Sequence, residues 1–432
     1  MRFLRPAFYI LDAIAIGLVL SLPALWLMGR IRAELGPVGF SMSWGPRPFV
    51  ALAVLVVLRS VTASRLRSRG LECRAWLGRA WIKKVLLSLA VLIAVLPLMD
   101  LVLSAKGYER NALPIVMQGD EDWTDADARF ESDARLLWRF KHGTSIHGQS
   151  VNTLGFPERE VDPRKRPDTT RVICLGDSCT ADGVPPYSSI LHELLTNAPP
   201  AAGSWEALHN GVHGYSILQG VEQFRHTTVG LQPDIVTIYF GWNAHWRGEQ
   251  TDAEQFATRG AGPILSALRR LYRSSSRPDQ ARPLRVPSSQ YTNALTTLVR
   301  EIRAEGIIPI IITAPRAEHL SSVIADRQGN PLDEIHELHD HYAALTRSVA
   351  SAEQVILIDA ARLVETHPGR HEFFRADGIH LRLAGRRKMA ELIYRTIRHG
   401  AKHRAVGLPD ARLMLPLLHE VWADDDLPGA RR

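Results

Sequence analysis

Arg171-Val172-Ile173-Cys174-Leu175-Gly176-Asp177-Ser178-Cys179-Thr180-Ala181-Asp182-Gly183 is the stretch from which the fold of this chain is read. Val172 to Leu175 form a short continuous apolar run, the signature of a strand buried on both faces of a parallel sheet. Gly176-Asp177-Ser178 breaks the run, and a helical pattern starts near Tyr187. A serine at the carboxyl end of a buried strand, on the turn into a helix, sits where open α/β sheets place their chemistry. Gly, Asp and Ser are also ordinary turn residues. The tripeptide gains meaning only if the chain also supplies a base, an orienting carboxylate and donors for an oxyanion.

Strands and helices alternate downstream, as in a parallel sheet with crossover helices. A helix is expected over Tyr187 to Asn197, and a short strand near Trp205 to Leu208 ends at Asn210-Gly211-Val212-His213-Gly214. A helix over Ile217 to Val229 leads to a strand over Asp234 to Phe240, which stops at Gly241-Trp242-Asn243. Further on come a helix over Gln290 to Ala304, a strand over Ile307 to Thr313, a helix over Glu334 to Ala350 and a strand over Val355 to Ile358. Asp377-Gly378-Ile379-His380 then precedes a helix over Ala384 to Arg398. The expected fold is α/β: a three-layer α/β/α sandwich on a five-stranded parallel sheet. Ser178, Gly214, Asn243 and Asp377/His380 follow strand ends, which in a parallel sheet share one edge.

The net charge of +7 over 432 residues is unevenly placed. Residues 1–106 carry 14 Lys/Arg against 4 Asp/Glu, whereas the remainder carries 38 against 41. A nearly neutral larger part removes the main support for nucleic-acid binding. Ala7 to Met28 and Val85 to Ser104 are apolar runs of the length that crosses a bilayer, and Pro48 to Leu58 is a shorter middle candidate. Arg59, Arg65, Arg67, Arg69, Arg74, Arg79, Lys83 and Lys84 crowd the connection before the last run, and such a loop stays in the cytoplasm. The expected organisation is therefore an anchor of two or three transmembrane helices over 1–106, a lead-in over 107–170, a catalytic domain over 171–400 and a tail over 401–432. That domain would lie on the extracytoplasmic, periplasmic side. Within it, 246–287 is polar, arginine-rich and aperiodic, and is expected to be an insertion with a mobile surface or a lid.

Over about residues 170–400 the sequence resembles the SGNH (GDSL-type) hydrolase family. Gly176-Asp177-Ser178-Cys179-Thr180 resembles its first block, Asn210 to Gly214 its second, Gly241-Trp242-Asn243 its third and Asp377-Gly378-Ile379-His380 its last. Asn152-Thr153-Leu154-Gly155-Phe156 upstream is similar to membrane-anchored envelope members. The resemblance implies a flavodoxin-like sheet, Ser178 as nucleophile, His380 as base and Asp377 as its orienter. It also implies an oxyanion hole made by the Gly214 N–H, the Asn243 amide and the Ser178 N–H. Where the family usually has Asp after the oxyanion Asn, this chain has Ala244, which removes an expected buttress.

A serine hydroxyl becomes a competent nucleophile when a positioned imidazole takes its proton. A carboxylate on the other ring nitrogen fixes the tautomer and stabilises the imidazolium. The expected activity is that of a membrane-anchored serine esterase acting on envelope O-acetyl glycans or lipid esters, without cofactor or metal. The alternatives are an O-acyltransferase with the same site, or a non-catalytic scaffold or glycan-binding component of an envelope assembly. Asp177 is a candidate substrate contact, and Trp242, His245 and Trp246 beside Asn243 either line a sugar or acyl pocket or simply pack in the core. Three cysteines (Cys73, Cys174, Cys179) make neither a disulfide framework nor a metal-ligand spacing; His336, His339, Asp340 and His341 suggest a metal site, but His336 and His339 on one helical face read as solvated.

Overall fold

The computed structural model describes residues 129–258 and 282–405, apart from 134, 147, 249 and 329, together with 10–11, 14, 30–35, 38–43, 46–67, 91, 95–99 and 101–102. The chain divides into two compact units, Met1–Ala112 with Thr258–Gln280, and Leu113–Ala257 with Ala281–Arg432. In the first, an antiparallel hairpin pairs Arg30–Leu35 with Val38–Ser43, ahead of a helix over Pro46–Arg67. That helix contains the middle apolar run. Among the described residues, no helix is long and apolar enough to cross a membrane. The run from Pro48 to Leu58 is closed by Arg47 and Arg59. At ~1.5 Å per residue such a run reaches about half of a ~30 Å hydrocarbon core. The other two expected spans lie largely outside the described residues, as does the apolar stretch of the tail.

The second unit is built on β1 (Thr169–Gly176), β2 (Ser204–Gly211), β3 (Ile235–Tyr239), β4 (Ile308–Ile312) and β5 (Ile356–Ile358). All pairings are parallel, in the order β5-β4-β3-β1-β2. Alternation along the strands sends side chains to two separate cores. Ile173, Leu175, Leu208, Val236, Ile238 and Ile311 face one, with Val221, Leu295, Leu298 and Ile302 of the covering helices. Val172, Cys174, Ala207, Ile310, Ile312 and Ile358 face the other, with Leu191, Leu195, Met389 and Ile393. Every residue of β3 is buried, so no face is left to solvent and the run is apolar throughout apart from Thr237 and Tyr239.

The covering helices are α1 (Ser178–Ala181, one turn), α2 (Tyr187–Asn197), α3 (Ile217–Gln223), α4 (Ser288–Ala304), α5 (Leu332–Ala352), α6 (Ala360–Thr366) and α7 (Leu383–Ala405). The single helix expected to Val229 instead ends at Gln223 and passes through a π turn over Phe224–Thr228. Buried hydrogen bonding accounts for the change. Thr228 Oγ1 donates to the Gln223 carbonyl at 3.3 Å and accepts from Asn210 Nδ2 at 2.6 Å. Side chains that bond to backbone carbonyls in this way compete with the regular helical ladder.

Two segments are more ordered than their composition suggests. In the lead-in, Phe130–Asp133 pairs with Leu137–Phe140 in an antiparallel hairpin whose Phe130, Leu137, Trp138 and Phe140 join the core. Asn152 Oδ1 accepts from the Leu154 and Phe156 amides at 3.0 Å each and closes a turn at Gly155, while Glu158 Oε2 accepts the His209 amide of β2 at 2.7 Å. In the 246–287 insertion Trp246, Asp252, Arg285 and Val286 are buried, while 259–281, the bulk of the expected mobile surface or lid, lies outside the described residues. The Arg285 amide donates to the Trp246 carbonyl at 2.7 Å and the Val286 amide to the Ala244 carbonyl at 2.9 Å.

Arg285 and Asp252 form a bidentate pair at 2.9 Å, their side chains 1% and 0% exposed. The aperiodic sequence hid this because charged residues are almost never buried unless paired. Removing one partner strands the other in a low-dielectric interior. Asp252→Ala is therefore expected to lower stability by about 3–5 kcal/mol, read as a denaturant-midpoint shift against wild type.

Candidate active site

Strand register sets the site. Gly176 is level with Gly211 of β2 and with Tyr239 of β3, so the three strands end together. The order reverses around β1, which makes the crevice at its carboxyl end the switch point of the sheet. Ser178 opens α1 there, with Asp177 as the N-cap, whose side chain accepts the Cys179 amide at 2.9 Å. The turn is tight because Thr180 is wedged against two glycines. A Cβ on Gly176 would lie 2.1 Å from Thr180 Oγ1, and one on Gly211 would lie 2.7 Å from Thr180 Cβ.

His380 arrives from the other end of the sheet, on a loop closed by an antiparallel bridge between Phe374 and Leu381. The Arg375 amide donates to the His380 carbonyl at 2.8 Å and the Gly378 amide to the Arg375 carbonyl at 3.0 Å. Gly378 has φ +80°, and a Cβ on it would come within 2.8 Å of the His319 carbonyl oxygen, so the turn admits only glycine. The Ala317 amide donates back to the Gly378 carbonyl at 2.9 Å and docks the loop.

The structure brings the three expected residues into one chain of contacts. Ser178 Oγ lies 3.0 Å from His380 Nε2, and His380 Nδ1 lies 2.6 Å from Asp377 Oδ2. Asp377 Oδ1 accepts the Ile379 amide at 2.8 Å and the His380 amide at 3.0 Å, which fixes the carboxylate as an acceptor on both oxygens. With Nδ1–H committed to Asp377, Nε2 is the lone-pair nitrogen facing the serine hydroxyl. Burial works against the imidazolium, but the Asp377 hydrogen bond and the Asp182 and Asp377 charges outweigh it, so the His380 pKa lies above its ordinary value. Burial also raises Asp377, yet the hydrogen bond and charge of His380 and the two amides leave its carboxyl below the ordinary value.

Gly214 and Asn243 reach the same edge. Gly214, three residues beyond β2, has φ +76°, a conformation glycine adopts at no steric cost. Asn243 lies on a 3₁₀ turn over Trp242–Ala244 after β3. Its amide donates to the Tyr215 carbonyl at 3.1 Å and reaches Asp177 Oδ2 at 3.4 Å. The absence of a carboxylate at Ala244 therefore does not leave Asn243 unsupported.

Three candidate substrate contacts take other places. Asp177 is 1% exposed; burial pushes its carboxyl up to about 6 against the pull of the Cys179 amide, His380 and Asn243, and its partners are that amide and Asn243. Trp242 and His245 are 1% and 0% exposed and pack inward. The Trp242 ring stacks on His339 at 3.8 Å, and His245 Nε2 meets His339 Nδ1 at 3.1 Å. Since His339 Nε2 bonds the Ala314 carbonyl at 2.9 Å, the tautomers follow: His245 donates and His339 accepts. Burial holds both rings neutral, lowering the His339 pKa to about 4.

His339 is therefore buried rather than solvated, and its neighbours diverge. Asp340 pairs with Arg316 at 2.9 Å and His341 meets Ser288 Oγ at 3.0 Å. Asn210, in the second sequence block, is fully buried, with Oδ1 accepting from Gln223 Nε2 at 2.6 Å beneath the Gly214 loop. Tyr215 and Trp138 also belong to the support of this edge. Tyr215 directly follows a block, whereas Trp138 is one of the scattered aromatics of the lead-in.

The family model described as GDSL-like Lipase/Acylhydrolase matches residues 174–388. The match covers just under half of the chain and supports a domain of that family there, and the chain is an ester-hydrolysing enzyme. No curated protein matches the chain. Among solved structures it is similar to a lipase/acylhydrolase from Enterococcus faecalis, at 20% identity over 53% of this chain and 96% of that one, with a TM-score of 0.38. A GDSL-like lipase from Bacteroides thetaiotaomicron is similar at 16% identity, 54% and 89% coverage and a TM-score of 0.34. A catalytic mutant of an acetylxylan esterase from Geobacillus stearothermophilus is similar at 17% identity, 52% and 93% coverage and a TM-score of 0.36.

A general base works only while neutral. Because the His380 pKa is raised, the neutral form is lost as pH falls through a value above 6.5, the ordinary imidazole pKa. The expected kcat/KM profile for ester hydrolysis has its acidic midpoint above that value. Asp377→Asn should move the midpoint down and reduce kcat by roughly 10³–10⁴-fold, since the amide selects the wrong tautomer. A pH–rate profile of both proteins checks it.

Proposed function

We propose that the protein is a membrane-anchored serine esterase that hydrolyses acyl esters of envelope components, O-acetylated glycans or lipid esters. The unbroken run from Ser178 Oγ through His380 to Asp377, at 3.0 and 2.6 Å, carries the proposal. Ser178 Oγ attacks the acyl carbonyl carbon as its proton passes to His380 Nε2. The carbonyl oxygen becomes an oxyanion facing the Gly214 and Ser178 N–H groups, and Asn243 Nδ2 joins them by giving up its 3.4 Å contact with Asp177 Oδ2. Preorganised donors of this kind are worth about 3–4 kcal/mol each. The tetrahedral intermediate collapses, the C–O bond to the alcohol breaks, and the imidazolium protonates the departing oxygen. Water then attacks the acyl-enzyme with His380 again as base, releasing the acid and restoring Ser178.

The envelope location rests on the sequence. The apolar run Val85 to Ser104 follows a connection dense in Arg and Lys, which puts the domain after it on the opposite side of the membrane from those charges. An extracytoplasmic esterase held at the membrane meets glycans and lipids before cytoplasmic metabolites, and this supports the substrate class.

Acetate release from acetylated envelope polysaccharide tests the reaction. Wild type is expected to release it and to take a fluorophosphonate label, and Ser178→Ala to do neither. Release by Ser178→Ala at the wild-type rate, or no labelling of wild type, ends the esterase reading. For the anchor, carbonate washing at high pH should leave the chain in the membrane pellet, and quantitative recovery in the supernatant would overturn it.

A further inference from the structure

The peptide between His213 and Gly214 is a single planar unit, with its carbonyl oxygen and its N–H on opposite sides. Whatever holds the His213 oxygen therefore aims the Gly214 N–H. In this chain Trp138, from the lead-in hairpin, donates its indole N–H to the His213 carbonyl at 3.0 Å. The same residue is gripped in return, because Tyr215 Oη donates to the Trp138 carbonyl at 2.5 Å and the two rings meet edge to face at 5.6 Å. The Tyr215 carbonyl in turn accepts the Asn243 amide at 3.1 Å. The Gly214 N–H and the Asn243 amide are thus both tied to one tryptophan.

The hairpin has its own supports. Phe130 and Phe140 stack on each other at 5.1 Å and close on the His213 ring at 6.5 and 5.7 Å. Gln219 donates to the Leu136 carbonyl at 3.0 Å while its Oε1 accepts the Ser216 amide at 3.0 Å, joining the hairpin to the start of α3. The Arg285 guanidinium, fixed by Asp252, lies 5.9 Å over the Trp138 ring. Trp138 itself is 2% exposed, so it has no room to reach a substrate.

We propose that Trp138 is a positioning residue of the oxyanion hole, orienting the His213–Gly214 peptide from outside the catalytic sheet. A donor on the carbonyl of a peptide also polarises its N–H, which strengthens the hydrogen bond the N–H can give. The inference rests on the esterase reading above and adds to it that the lead-in is part of the catalytic apparatus.

Trp138→Phe keeps an aromatic ring against Tyr215 and removes only the donor. Aim matters where negative charge develops, in the transition state, and not in the bound ester. The expected loss is about tenfold to a hundredfold in kcat, short of the ~10²–10³ that follows from deleting a donor outright. KM should stay within twofold and the acidic midpoint of His380 unmoved. Fluorophosphonate labelling of Ser178 should slow by the same factor, with near-UV circular dichroism unchanged. Tyr215→Phe, which releases the Trp138 carbonyl, should show the same kcat-only loss and serves if Trp138→Phe does not fold. Wild-type kcat in either folded variant, or a loss confined to KM, overturns the inference. The two readings separate cleanly: an unlabelled wild type sinks the esterase proposal, whereas labelling of wild type and Trp138→Phe at equal rates sinks only this one.

Discussion

Parallel pairing of β1 with both of its neighbours fixes the height at which each of the three strands stops. Gly176, Gly211 and Tyr239 are in register, so the turns that follow begin from one line, and short offsets decide what meets. Two residues on, the chain presents the Ser178 hydroxyl; three on, Gly214; four on, Asn243. A slip of the pairing by one residue would invert the faces of a strand as well as move its end. The two apolar cores, one on each side of the sheet, oppose such a slip, so the burial that stabilises the fold also holds the site in alignment.

Two carboxylates close to the serine do different work because their surroundings differ. Asp377 is held ionised by the imidazole and two backbone amides, and it raises the basicity of His380. Asp177 is the more deeply buried, and burial draws its carboxyl up to about 6; it caps the helix turn and steadies Asn243. Environments that push titratable groups apart in this way let neighbouring acids take separate roles.

The sheet was legible because a doubly buried strand has a simple signature. Val172 to Leu175, Asp234 to Phe240 and Ile307 to Thr313 are apolar runs bounded by turn residues, and each contains or overlaps an observed strand within a few residues. The placement of Ser178, Asp377 and His380 followed from order and strand-end position. What stayed hidden depends on partners remote in the chain. Trp138 finds its acceptor on His213, and Arg285 finds Asp252, across gaps that no local periodicity spans. Trp242 and His245 stood open between a substrate pocket and plain packing for a related reason. Adjacency to Asn243 suggested a substrate wall, but a 3₁₀ turn points successive side chains in different directions, and theirs turn into the core beside His339.

The wedge of Thr180 between Gly176 and Gly211 ties three positions into one steric unit. Two of them belong to adjacent strands and the third to the turn bearing the nucleophile, so none has freedom to drift by itself. Mutational libraries that vary 176, 180 and 211 one at a time would return the native residue at the glycines. Shrinking residue 180 opens no other route, because a Cβ at 176 would still meet the Tyr239 carbonyl oxygen at 2.7 Å and one at 211 the Ala181 amide nitrogen at 2.8 Å.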